Sequence, residues 1–462
     1  MSIVRSSVWP VSCLLLIFLA TAAPAAERAN DALVGEVLEL LSSSDHDVRG
    51  LALEQVRYYT PGEAVTKRFA AELPRLDADA QVGLLRALAD RGDRTAHAEV
   101  LALSLTATSE SVEAAAIGAL SRLGERSDVP LLVNRLSSKS KPVQAAARRG
   151  LVDLQGEGVS QAIAERMTQA EPSVRVMLIY VLSDRRAEDT IPQLLLAAKA
   201  EDRSVREAAM VALAWIAAPK WVPEMVPALF ASEDKQERAA AEKAIMKVCA
   251  RVANPDDRAK PLIDAMAKLP GDERLALLST MGRVGGAAAL EEIEKAIASD
   301  DAKLHELGLK ALSNWPDASI APRYVELVAS EELPANRLLA LRALIRVAPL
   351  RDRRTHAERL QLLQQAMELS SRDQERNLVL DRARAVRTLE TLQFIAPYME
   401  QPELAEQACL SVVELAHHRN LREPNKAEFH KALDKVIATS QDEVVVDRAQ
   451  RYKNDKTWVR PR

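Results

Sequence analysis

The chain has 462 residues, 48% of them hydrophobic but only 3% aromatic, and carries 62 Lys and Arg against 66 Asp and Glu. Such balanced charge gives no basis for nucleic-acid binding, which needs clustered positive charge. An apolar fraction rich in Ala and Leu but poor in rings points to helices that approach one another through small side chains.

At the N-terminus, Arg5 precedes the uncharged stretch Ser6–Ala26, whose apolar core is Val11–Ala20. Ala23-Pro24-Ala25 places small residues at −3 and −1, so 1–25 reads as a signal peptide cleaved after Ala25. The alternative is an uncleaved signal anchor, since a span needs roughly 20 apolar residues. Either way the rest of the chain is expected to be exported, to the periplasm or the exterior, because Arg5 stays inside. Loss of 1–25 removes one Arg and leaves 61 basic against 66 acidic side chains. No later stretch is apolar for long enough to span a membrane.

From Asn30 to Lys453 a small unit recurs: an anchor, often Arg next, a small residue at +4, and a small–aliphatic pair at +7/+8. It reads Val112-Glu113, Ala116, Ala119-Leu120, and again Val205-Arg206, Ala209, Ala212-Leu213. The anchors are Val48, Ala80, Val112, Val143, Val174, Val205, Glu237, Glu273, Leu304 and Asn336, with weaker copies at Glu375, Leu404 and Val445. A period of roughly 32 residues is that of a solenoid. Within each period two amphipathic runs show helical spacing and none alternates with period two. Ser, Asp and Pro at the junctions, as in Asp202-Arg203-Ser204 and Glu171-Pro172-Ser173, are helix-start chemistry. The fold expected is therefore all-α, about thirteen helix pairs. Gly83 and Gly150 read as close-approach positions, and Gly282, Gly285 and Gly286 as caps at a helix end.

Asp47-Val48-Arg49, Ser173-Val174-Arg175 and Ser204-Val205-Arg206 with Ala209 and Ala212-Leu213 resemble the HEAT-repeat family, in its short form of bilin-lyase-type proteins. The order of export signal, regular copies and a looser Arg-rich end resembles exported bacterial HEAT proteins. The resemblance implies a right-handed α-α superhelix, HEAT/armadillo-like. It also implies a ladder in which the Arg after the anchor pairs with an acidic residue of the repeat loop. Arg49, Arg175, Arg206, Arg238, Arg274 and Arg337 match that position. Gln81, Glu113, Gln144 and His305 depart from it and would interrupt the ladder. No active residue is carried over from the lyases. The organisation expected is a regular array over 26–350, looser copies over 351–453 continuous with it, and a basic tail over 454–462.

No Cys-x-x-Cys-His, Gly-rich phosphate loop or Gly-x-Ser-x-Gly elbow is present. His305-Glu306 resembles one of the several His-Glu pairs by which HEAT-fold di-iron hydroxylases hold metal, but it stands alone and reads as a surface His in the ladder position. His417-His418, with Cys409 and His430 nearby, shows no spacing for four converging ligands and reads as a helix end. No metal and no cofactor is expected. Cys249 and Cys409 lie about five repeats apart, whereas a disulfide needs Cα atoms within about 7 Å, so both are expected as buried free thiols.

Candidates for partner binding are Trp215 and Trp221, which flank Pro219, and an Arg-rich segment that includes Arg351, Arg353, Arg354, Arg372 and Arg376. Trp315 is expected in the core. The expected function is a non-enzymatic scaffold that binds another exported or envelope protein. An accessory or lyase-like enzyme subunit with a site on the concave face stays open, as does a glycan-binding array built on the two Trp and the Arg segment.

Overall fold

Every one of the thirteen anchors is the third residue of a helix. The reason is visible at the helix starts. Asp45, Asp77, Asp202, Asp234, Asp301 and Asp442 each stand three residues before an anchor and accept its backbone N–H, at 2.8–3.3 Å. That is an N-cap, and it satisfies a donor the helix itself cannot pair. Elsewhere Pro172, Pro334 and Pro402 occupy the first turn, where a missing N–H costs nothing.

The computed structural model describes residues 31–231 and 233–458, and among these there is no strand. The expected signal segment 1–25 and residues 459–462 of the basic tail lie outside the described residues. The fold is a HEAT/armadillo-like stack of helix pairs, each a leading helix followed by the anchor-bearing one. No described helix is long and apolar enough to cross a membrane.

Two compact units are present. One comprises 31–217 with Pro227–Ala244, the other Ala218–Val226 with 245–458. The first holds pairs such as Glu63–Glu72 with Ala78–Arg91 and Val159–Gln169 with Pro172–Asp184. The second runs from Lys260–Met266 with Gly271–Val284 to Lys426–Thr439 with Glu443–Lys453.

The repeat positions form the core. Val112, Ala116, Ala119 and Leu120 are buried, as are Val205, Ala209, Ala212 and Leu213. Each buried aliphatic side chain contributes about 1.5–3 kcal/mol, and the small residue at +4 lets the helices come close. The closest approach is at Gly282, where an added Cβ would lie 1.9 Å from the Ala311 carbonyl oxygen. Gly282 is therefore a packing residue inside the helix, unlike Gly285, which ends that helix at φ +71°.

Candidate partner-binding surfaces

The residue after the anchor has one recurrent task. Arg175 Nε donates to the Met167 carbonyl and Arg274 Nε to that of Met266. Gln81 and Gln144 donate to Leu73 and Leu136 at 2.9 and 2.7 Å, and His305 Nδ1 to Ile297 at 2.5 Å. Each acceptor lies eight residues back, at the end of the leading helix of the same repeat. Arg206 and Arg337 reach the Ala200 and Glu331 carbonyls, and Arg49 that of Ser43, all six residues back. The position therefore caps the C-terminus of the leading helix, and Gln or His does this as Arg does. Arg49 also approaches Asp77 at 3.7 Å, and Arg206 forks onto Glu237 at 2.6 and 3.0 Å. The Glu237 hydrogen bond holds the Arg206 guanidinium above its usual range. Glu113 accepts an ion pair from Arg135 at 2.8 Å.

Between repeats a second arginine acts, which the sequence reading missed. Arg91 donates to the carbonyls of Val56, Thr60 and Gly62, and Arg185 to those of Leu151, Val152 and Leu154. Arg346 donates to Ser313 and Trp315. Each reaches back 29–35 residues to the end of the preceding anchor helix or just past it. Burial lowers the pKa of Arg91 and Arg185. Their signal is an Arg ten or eleven residues after the anchor, beyond the recurring unit that ends at +8.

Trp215 is 64% exposed, and Val211 and Tyr180 are exposed with it. Tyr180 and Val211 sit at the same register of consecutive anchor helices, and Trp215 lies one turn beyond Val211. Beside Val211 a cavity of about 280 Å³ is lined by Arg203, Glu207, Met210, Val211 and Ala240. Arg203 pairs there with Glu207 at 2.7 Å and with Asp234 at 3.4 Å. In the second unit Trp221 is half-buried, with Lys220 Nζ 5.5 Å from its ring centre. Trp315 is 2% exposed and donates its indole N–H to Ser319 Oγ at 3.0 Å.

The Arg-rich segment divides. Arg351 and Arg353 are exposed. Arg354 forks onto Asp352 at 2.8 and 3.0 Å, and Arg376 donates to the Ser370 carbonyl. Arg372 and Arg342 flank the carboxylate of Glu375, at 3.2 and 2.8 Å, and Glu375 itself is buried. Thus three of the five named arginines are held by partners of their own unit.

His305 and Glu306 diverge. His305 Nε2 meets Glu331 at 3.2 Å, whereas Glu306 pairs with Lys310. The Ile297 and Glu331 bonds raise the His305 pKa. His417 Nδ1 lies 2.8 Å from the Tyr452 hydroxyl. Among the described residues no three His, Cys, Asp or Glu converge as metal ligands would. Cys249 and Cys409 are free and buried, and burial pushes their thiols up to about 12 and about 11.

The architecture is that of an α-helical repeat array, and the comparisons with known proteins follow it. Residues 160–246 match the HEAT repeats family. No curated protein matches the sequence. Among solved structures, Kap121p bound to Pho4p is 10% identical with a TM-score of 0.45, over 92% of this chain and 57% of that one. Kap121p bound to RanGTP gives 10% and 0.42, over 92% and 56%. Yeast importin-beta (Kap95p) gives 12% and 0.38, over 92% and 67%. The chain thus spans less than two thirds of the first two, and similarity at this level assigns none of their partners to it.

Proposed function

We propose that this chain is an exported, non-catalytic repeat scaffold that binds another protein of the envelope. The observation that carries the reading is the line of outward apolar side chains on consecutive anchor helices: Tyr180, Val211 and Trp215. Exposed aromatic residues beside a cavity, rimmed by paired charges, are what protein interfaces use as anchors. The rim is supplied by Arg203 with Glu207 at 2.7 Å, and Asp184, one turn beyond Tyr180 on the same helix, pairs with Arg148 at 2.7 Å. Repeat stacks present such surfaces because each pair leaves one helix side free.

The test is cross-linking and mass spectrometry of proteins that bind the immobilised chain from an envelope extract. A partner whose cross-links fall beside Val211 and Trp215, and whose recovery drops in Val211→Ser and Trp215→Ala, supports the reading. Equal recovery by the variants, with unchanged helical content, overturns it. Recovery of a glycan in place of a protein, lost with Trp215→Ala, favours the glycan-binding reading instead.

A further inference from the structure

The second unit carries a cationic depression that the sequence reading did not isolate. Two cavities, of about 310 and about 400 Å³, share Arg387 and His418 in their walls and so adjoin one another. Arg382 and Arg384 line the first, and His417 and Arg419 line the second. The depression lies where the helices Asp373–Ala383 and Pro402–Ala416 end.

Cations at helix C-termini ordinarily serve the last carbonyls. Here that work is done by other groups. Ser411 Oγ donates to the Leu380 carbonyl at 2.9 Å and the Val386 N–H to that of Ala383. Buried Arg422 donates to the Ala416 carbonyl. The wall arginines are thus surplus to helix capping. The two carboxylates of the wall are also engaged: Asp381 by Arg384 at 2.8 Å, and Glu414 by Arg448 at 2.7 Å. Arg387 is exposed. Among the described residues Arg419 approaches the carboxylate of Glu423 at 3.7 Å, which it shares with Arg422.

We propose that this depression is a binding site for a tetrahedral oxyanion, a phosphate or sulfate ester on a sugar-sized ligand, held by Arg387, Arg419 and His418. Guanidinium groups pair with such oxygens through forked, charge-assisted hydrogen bonds. A carboxylate has two oxygens to offer, whereas a tetrahedral ester has three for a set of donors that reaches in from two sides. The room available matches small-ligand sites, about 300–1,000 Å³, and exceeds what a bare ion fills. His418 serves as the built-in reporter. Burial first, then Arg387 and His417, hold its pKa below the usual value, against the opposing pull of Glu414. Arg346, Arg382, Arg384 and Asp381 are the other charged groups around it. A bound anion, singly charged for a sulfate ester and up to doubly for a phosphate ester, offsets the arginine charge and raises the His418 pKa.

The experiment is an imidazole NMR titration of the full chain, without ligand and with inorganic phosphate, glucose 6-phosphate or glucose 6-sulfate, alongside calorimetry. The expected result is an upward shift of the His418 pKa and a measurable affinity for at least one ester. Arg387→Gln should weaken that affinity by roughly tenfold, as loss of a charge-assisted fork does. Lys303→Gln, at an exposed helix start two repeats earlier that lines neither cavity, should leave it unchanged. The phosphate and sulfate arms identify which ester is preferred. A His418 pKa indifferent to all three probes overturns the proposal, and so does equal affinity in a folded Arg387→Gln chain. Neither outcome bears on protein binding at Val211 and Trp215, which lie in the other unit.

Discussion

Arg185 and Arg148 look alike in sequence, yet the structure gives them different work. Arg185 sends one nitrogen to three carbonyls, of Leu151, Val152 and Leu154, at 2.7–2.9 Å. Arg148 makes a half-exposed ion pair with Asp184. Leaving partly buried carbonyls without a donor costs about 1–3 kcal/mol each where water does not reach them, whereas an exposed pair contributes about 0–1 kcal/mol. Arg185→Met should therefore cost about 3 kcal/mol in urea unfolding, and Arg148→Ala less than about 1. Equal effects of the two would refute the assignment of Arg185 as the link between repeats. His305 adds a dependence on pH. Its folded pKa lies above the ordinary 6.5 because both ring nitrogens find acceptors, Ile297 first and then Glu331. A raised folded pKa means that the stabilisation is complete below about pH 6.5 and is lost as pH rises through the folded value. His305→Gln keeps the carbonyl bond, as Gln81 and Gln144 do, and removes the titration. The stability difference between wild type and this variant should fall from about pH 5.5 to about pH 8. A difference independent of pH argues that His305 does not titrate between the folded and unfolded states.

At the scale of the element, helix contacts were legible where periodicity alone determines them. All thirteen anchors could be placed from spacing because a helix start, a cap and a buried stripe repeat together. Side-chain direction beyond the anchor was harder, since one residue along a helix rotates the side chain by about 100°. Trp215 stands ten residues after its anchor, inside its helix, and faces out, whereas Trp315 stands eleven after, just past its helix end, and is buried. The same rotation hid Arg91 and Arg185, which stand at +11 and were indistinguishable by residue type from surface arginines. The cationic depression was illegible for another reason. Its walls come from two repeats, and which arginines are left over appears only once the carbonyl donors are known. Gly282 shows the limit most sharply: it lies three residues from helix-ending Gly285 and reads as a cap, but the helix Ala302–Ser313 touches it. Gly282→Ala should cost about 1–3 kcal/mol or more by overpacking, because the clash is with backbone, which cannot rotate away. Gly83→Ala meets only the flexible end of Leu53, at 2.8 Å. The test is the pair of thermal melts: a large loss for Gly282→Ala and a small change for Gly83→Ala. Similar melts for both would mean that the helices slide apart freely at Gly282.

For the whole molecule, a stack of helix pairs has a measurable consequence. Each pair buries its apolar side against its neighbours, so stability accumulates locally along the stack. The division into two compact units adds a place where cooperativity can break. Cys249 and Cys409 both belong to the second unit and both are buried. With thiols pushed up to about 12 and about 11 by burial, they remain protonated and shielded in the native chain. A thiol reagent should therefore fail to modify Cys249 or Cys409 in native buffer, and should modify both once the second unit opens. Far-UV circular dichroism reports the helices of both units at once. In a urea series the thiol-labelling midpoint and the dichroism midpoint should differ, and dichroism should show a transition broader than one cooperative step. Coincident midpoints and a single sharp transition would mean that the two units unfold as one. Peptide mapping of the labelled chain extends the measurement. If Cys249, close to the boundary at Ala244, reacts at lower urea than Cys409, opening begins at the edge of the second unit rather than within it. Equal labelling midpoints at the two sites would instead assign one cooperative step to everything from 245 onward.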